Sequence, residues 1–290
     1  MDYFRHFHSN FFPLDVIYFD QDSTRIHSHA FYELVLVVAG EGRHVTATEE
    51  YTISAGDLFL IKPGNLHGYR VEHNFSLYNI LYYPEQLNLP LFDLAEEPGY
   101  HAFFELEPEL RRQFGFRKHF RLGKSQLDEI QLLVEHMSRE IASDEPGHCY
   151  RAVSFLIRLI ERISRIFSVS TLYRENDELF RLSELVSFLE RNAAEPHTIA
   201  ELAEKAAMSP ATLNRAFRRA VGKSPLCYLN DLRISGAERL LLKSPALSVS
   251  AVAAECGFRD GNYFSRLFKK RTGYTPRVFR QRNENRSISS

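Results

Sequence analysis

Val249-Ser250-Ala251-Val252-Ala253-Ala254-Glu255-Cys256-Gly257-Phe258 repeats, fifty residues on, the pattern of Ile199-Ala200-Glu201-Leu202-Ala203-Glu204-Lys205-Ala206-Ala207-Met208. Further along, Arg215, Phe217, Gly222 and Pro225 match Arg266, Phe268, Gly273 and Pro276 at an offset of fifty-one, so one residue is inserted near the start of the second copy's later helix. Self-similarity of this kind marks a duplicated structural unit. Each copy predicts an apolar helix carrying a small residue, Ala203 or Ala253, where a second helix must approach closely. A tight turn follows, then a helix dense in Arg and Lys, closed by Gly-x-x-Pro. Helix, short turn and basic helix is the helix-turn-helix plan, whose second helix enters the major groove of DNA. Between the copies, residues 226–242 predict one long amphipathic helix with Leu229, Leu232, Ala237 and Leu240 inward. A rigid connection of that kind lets one chain place two readers about 34 Å apart, in successive major grooves.

Charge agrees with a polyanionic partner for this region. The net charge of −1 over 290 residues conceals a split. Residues 181–290 hold 19 Lys+Arg against 10 Asp+Glu, a balance of +9, and residues 1–180 hold 17 against 27, a balance of −10. Halves of opposite sign meet different partners. The apolar runs are too short to span a bilayer, the N-terminus lacks a signal-peptide layout, and Cys149, Cys227 and Cys256 show no paired spacing. These features predict a cytoplasmic protein with reduced thiols and no membrane partner.

Upstream of the repeat the chain predicts two further regions. Residues 14–19, 31–38, 57–61 and 77–83 read as short strands, with Ala39-Gly40-Glu41-Gly42 and Lys62-Pro63-Gly64-Asn65 as turns, which suggests a β-barrel. From 125 to 167 the period becomes helical. Leu127, Ile130, Leu133, Val134, Met137 and Ile141 form one apolar face, and Val153, Leu156, Ile157, Ile160, Ile163 and Ile166 a second, separated by Asp144-Glu145-Pro146-Gly147. These faces fit either a dimerisation surface or packing on the barrel. The expected domains are therefore 1–170, a polar linker at 171–180, the paired readers at 181–282 and a disordered tail at 283–290.

The second repeat carries a specific resemblance. Ala253-Ala254-Glu255-Cys256-Gly257-Phe258, Asn262-Tyr263-Phe264-Ser265-Arg266-Leu267-Phe268-Lys269-Lys270 and Gly273-Tyr274-Thr275-Pro276 closely resemble the signature of the AraC/XylS family of transcription regulators, over residues 181–282. The resemblance implies Ala211, Thr212, Asn214 and Arg215 as the DNA-reading positions of the first unit, and Gly261, Asn262, Ser265 and Arg266 of the second. Asn suits adenine and Arg suits guanine in bidentate pairs. Arg218, Arg219, Lys269, Lys270 and Arg271 read as phosphate contacts. Ala207 departs from the family, standing where the turn often has Gly. Ala211 and Gly261 are too small for polar base contacts.

The N-terminal half carries a softer signal. His27-Ser28-His29-Ala30-Phe31-Tyr32-Glu33 followed by Gly40 resembles the first cupin motif, with Gln21 where its upstream Gly belongs. Residues 56–67, ending in His67, resemble a damaged second motif. Strand alternation puts His27, His29 and Glu33 on one face. His27, His29, Glu33 and His67 are thus the candidate metal set, and with Tyr78 the candidate effector-binding set. The effector reading is preferred, with no cofactor, because sensor domains of this family commonly use the barrel for a small molecule without metal. A third reading has the two histidines merely finishing a strand.

His44-Val45, 56–61, His67 and residues 78–87 resemble the sensor half of rhamnose-operon activators, which implies a sugar effector. The sequence therefore predicts a non-enzymatic regulator of mixed fold. It has a cupin-like barrel with a two-helix dimerisation element, then two helix-turn-helix units joined by a long helix. The partners implied are promoter direct repeats of double-stranded DNA, a small-molecule effector, RNA polymerase and a second copy of the chain, with activation as the output. The competing readings are a metal-dependent cupin enzyme fused to a DNA-binding domain and a constitutive architectural protein.

Overall fold

Six strands form one antiparallel sheet: β1 (Leu14–Asp20), β2 (Tyr32–Thr46), β3 (Glu50–Ser54), β4 (Asp57–Ile61), β5 (His67–Tyr82) and β6 (Phe120–Arg121). The computed structural model describes residues 12–20, 23–114, 120–170, 177–244 and 246–288. Its contacts divide the chain into two units, Met1–Ser183 and Glu184–Ser290.

The sheet runs in the order β1-β5-β2-β4-β6, with β3 paired to the far half of β2. Among the described residues the path from β1 to β6 does not close, so the expected barrel is an open one. The expected turn at 39–42 is not a turn. The chain stays in strand there, and its register against β5 shifts three times between Val37 and Gly42. Gly40, at φ 71°, supplies the left-handed residue such bulges need. Gly42 lies where a Cβ would stand 3.0 Å from the Arg70 carbonyl oxygen, so a larger residue there would crowd the facing strand.

Alternation along β2 explains how the sheet is filled. Val35 and Val37 join Ile53, Phe59, Ile61, Tyr69, Phe75 and Leu77 in an interior cluster. Leu34 and Leu36 are as deeply buried on the opposite face, which packs on helix. With both faces covered, this half of the strand reads as a continuous apolar run. Helix α1 (Glu107–Phe114) lies along β4, and α2 (Lys124–Ile141) and α3 (His148–Val169) pair with each other beside β1 and β2. The two predicted apolar faces bury Ile130, Val134, Met137, Leu156, Ile160, Ile163 and Ile166, while Ile157 falls off the face and stays exposed.

The second unit is helical throughout its described residues: α4 (Asp177–Arg191), α5 (Ile199–Lys205), α6 (Pro210–Val221), α7 (Pro225–Lys243), α8 (Val249–Glu255), α9 (Gly261–Thr272) and α10 (Pro276–Ile288). The unit boundary falls inside α4. Residues 171–176 of the expected linker lie outside the described residues, but 177–180 are helical, because Leu179 and Leu182 bury an apolar stripe. The tail expected to be disordered from 283 instead continues α10 to Ile288, since no Gly or Pro interrupts it.

The duplication extends to the caps. Thr198 and Ser248 cap α5 and α8, and Ser209 and Asp260 cap α6 and α9, each side chain accepting from a backbone N–H of the first turn. Gly222 and Gly273 end the basic helices in left-handed conformation. In the turns, the Met208 N–H donates to the Ala203 carbonyl as the Phe258 N–H donates to Ala253, both at 2.9 Å. On α7 the inward residues are Leu229, Ile234, Ala237 and Leu241, with Leu232 and Leu240 only half-buried. Arg233 donates to the Ala193 and Glu195 carbonyls at 2.7 and 2.6 Å, pinning α7 to the end of α4.

Candidate functional site

Glu33 is the centre of the N-terminal site. It sits on the interior face of β2, wholly buried, where a lone carboxylate would be strongly disfavoured. Three groups compensate. His29 Nε2 lies 2.9 Å from Oε2, His67 Nε2 lies 3.4 Å from the same oxygen, and the Tyr69 hydroxyl donates to Oε1 at 3.1 Å. His27 lies against His67 at a tilt, with ring centroids 4.5 Å apart, where a short antiparallel bridge joins the two residues' backbones.

The rings are oriented by backbone. Nδ1 of His27 donates to the Arg25 carbonyl at 2.9 Å, that of His29 to Phe31 at 2.8 Å, and that of His67 to Asn65 at 3.1 Å. A carbonyl can only accept, so each Nδ1 donates, and a hydrogen bond from Nε2 of His29 or His67 to Glu33 requires the imidazolium form of that ring, protonated at both nitrogens. Burial pushes the Glu33 carboxyl upward, but the hydrogen bonds from His29 and His67 outweigh it and hold the group well below the usual carboxylate range. Burial would lower His67, yet its contact with Glu33 raises it; His27 is lowered, chiefly by burial.

One ligand atom from each of His27, Glu33 and His67 can be chosen so that all lie within 4.8 Å of one another. Orientation of imidazoles by second partners is what metal ligands require. These residues therefore fit a transition-metal ion, and His29 stands next to them.

Four of the five expected effector residues are thus gathered here. Tyr78 is not. It pairs across the strands with Leu36 and Tyr18, meets the Tyr18 ring at 4.9 Å between centroids in a tilted contact, and feels Glu135 of α2. Period-two alternation puts it on the helix-facing side, opposite Glu33 and Val35. The neighbour one residue on, Asn79, takes the interior position. It pairs with Val35, is wholly buried, and neither its amide oxygen nor its amide nitrogen has a hydrogen-bond partner.

His44 is also inside, packed against Phe59, Tyr69 and His67, with Nδ1 bonded to the Tyr51 hydroxyl and Nε2 without a hydrogen-bond partner. Arg111 reaches in from α1, its guanidinium 5.5 Å from the Phe59 ring centre and paired with Glu107 at 2.8 Å. His44 and Asn79 lie within stretches that carry the rhamnose-activator resemblance, but neither they nor Arg111 stood out as site residues. A polar residue on the inward parity of a strand is the signal that finds Asn79 once the register is known.

The nucleic-acid face is simpler. Ala211, Thr212, Arg215 and Arg218 are exposed on α6, with Asn214 and Arg219 half-buried. Gly261, Asn262, Arg266, Lys269 and Lys270 are exposed on α9, with Ser265 half-buried. Phe217, Phe264 and Phe268 are fully buried core residues. Two residues have local duties: Thr212 pairs with the Ser209 cap, and the Asn214 amide donates to the Pro210 carbonyl at 3.0 Å. Arg271, expected on phosphate, lies 2.6 Å from Asp231 and donates to Cys227 Sγ, so it ties α9 to α7.

Comparison with known proteins gives two family matches. Residues 14–160 match the AraC-like ligand binding domain and residues 202–282 a helix-turn-helix domain. The HTH-type transcriptional activator RhaR of Escherichia coli (strain K12) is 30% identical over 265 residues, covering 91% of this chain and 90% of that protein. Its counterpart in Shigella dysenteriae serotype 1 is 29% identical over the same span. Among solved structures, the DNA-binding domain of AdpA in complex with a target DNA is 33% identical, covering 38% of this chain and 98% of that one, at a TM-score of 0.36. No described helix is long and apolar enough to cross a membrane.

Proposed function

The chain belongs to the AraC family of DNA-binding transcription regulators, and from that premise we propose that it activates transcription in response to a sugar-like effector held in its N-terminal barrel. The observation that carries this reading is the buried cluster of Glu33, His29, His67 and Tyr69 within the residues that match a ligand-binding domain. Polar groups converging in an apolar chamber are what a small hydroxylated ligand needs. The relatives in Escherichia coli and Shigella are named as transcriptional activators, which supports activation over repression.

The ligand acts by binding one arrangement of the chain better than another, which shifts the population. The paired readers then engage direct-repeat half-sites, and RNA polymerase reads the outcome. Two copies associate through α2 and α3, where Leu132, Tyr150 and Ile157 stay exposed. Cytoplasmic residence follows from the target. Thermal unfolding of the full chain against a panel of neutral sugars tests the reading. A ligand at a hundredfold its Kd stabilises by about 2.7 kcal/mol, and no shift with any sugar rejects it.

The geometry of His27, Glu33 and His67 favours a second reading of the same pocket, a bound metal ion. It predicts that a chelator lowers the unfolding midpoint of protein purified without one, and that zinc restores it. An unchanged midpoint with chelator rejects the metal.

A further inference from the structure

Asn79 has an unmet hydrogen-bonding requirement at both ends of its side chain. Both ends of its amide are buried and neither meets a protein partner. Buried polar groups in folded proteins are almost always paired, and an exception calls for a ligand or a water. Its place is set by register. Asn79 pairs with Val35 of β2, and Leu81, two residues on, pairs with Glu33. Asn79 and Glu33 are therefore diagonal neighbours on one face of the sheet, close enough for a small molecule to touch both. His44 Nε2, on the same interior, is another buried polar atom without a hydrogen-bond partner.

We propose that Asn79 is the specificity-determining residue of this pocket and that it selects an uncharged polyhydroxylated ligand over the corresponding sugar acid. An amide offers one acceptor and two donors, and a hydroxyl both donates and accepts, so neighbouring hydroxyls satisfy both ends of Asn79 at once. A carboxylate ligand satisfies only the nitrogen end and brings a second negative charge beside buried Glu33. The inference rests on the effector reading and narrows it to one ligand class.

The test uses the full chain and two readouts. Wild type and Asn79→Leu are melted alone and with neutral aldopentoses, aldohexoses and 6-deoxyhexoses, beside the matching aldonic and uronic acids. The wild type is stabilised by a neutral sugar and not by its acid. Asn79→Leu requires at least tenfold more of that sugar for the same shift, yet unfolds at an equal or higher temperature without ligand, because it loses an unpaired polar group. A structural asparagine gives the reverse, a lower midpoint with the sugar response intact, and that result overturns the assignment alone. A wild type that responds to no neutral sugar overturns the effector reading with it. A wild type that prefers the acid overturns the ligand class.

Discussion

Ala207 and Gly257 hold the same place in the two copies of the turn, and both take a positive φ, 49° at the alanine and 82° at the glycine. The left-handed region costs an L-residue with a Cβ roughly 1–2 kcal/mol. Ala207→Gly should recover part of this and raise the free energy of unfolding by up to about 1 kcal/mol. Gly257→Ala should do the opposite and more, since its Cβ would stand 2.3 Å from the Ala194 carbonyl oxygen. Chemical unfolding of both variants checks the pair. A stabilised Gly257→Ala would contradict the turn geometry.

Arg266 and Lys270 are both exposed on α9 and are expected to do different work. Arg266→Ala should weaken binding to cognate DNA by about 1–3 kcal/mol and leave random DNA nearly unaffected. Lys270→Ala should weaken both and reduce the salt slope by about one ion. Equal losses on both DNAs for Arg266→Ala would remove its base-reading role.

Arg271 separates structure from contact on the same helix. Asp231 on α7 holds Arg271 at 2.6 Å and Lys223 at 2.8 Å, so one carboxylate joins the ends of both basic helices. Arg271→Ala should lower unfolding stability by about 1 kcal/mol while leaving the salt slope of DNA binding in place. A flattened slope with unchanged stability would return Arg271 to the phosphate set.

His44 gives the barrel a pH dependence. Burial holds its imidazole well below the ordinary value of 6.5, with His67 and Arg111 pushing the same way and Glu33 opposing. The folded protein keeps it neutral while the unfolded chain protonates it below that value, so stability is full above pH 6.5 and falls with pH beneath it. His67 runs the other way: its pKa is raised, so its contribution is present below 6.5 and fades as pH rises through the raised value. In chelator-treated protein, His44→Phe should flatten the fall in unfolding midpoint from pH 6.5 to about pH 5. An unchanged fall would assign the dependence elsewhere.

The C-terminal unit was almost wholly legible in the sequence because duplication shows each element twice, down to Gly222 and Gly273 as helix ends. The His27, His29, Glu33 and His67 set was legible through its resemblance to the cupin motifs, and the four side chains lie together. Tyr78 was misplaced by one residue of strand parity: the register of β5 on β2 sets Asn79, not Tyr78, beside Val35 on the Glu33 face. Arg111 approaches from a separate helix, and no spacing rule links it to β3 or β4. Arg271 looked like its exposed neighbours until Asp231, forty residues earlier, was placed beside it.

The most direct test of effector control is transcription from a promoter fragment that the full chain itself selects from random DNA. Output is measured with and without the sugar that stabilises the protein. Effector-gated activation predicts several-fold more transcript with the sugar, and loss of that response in Glu33→Gln. Equal transcript with and without it, from a template the protein still binds, would contradict effector control.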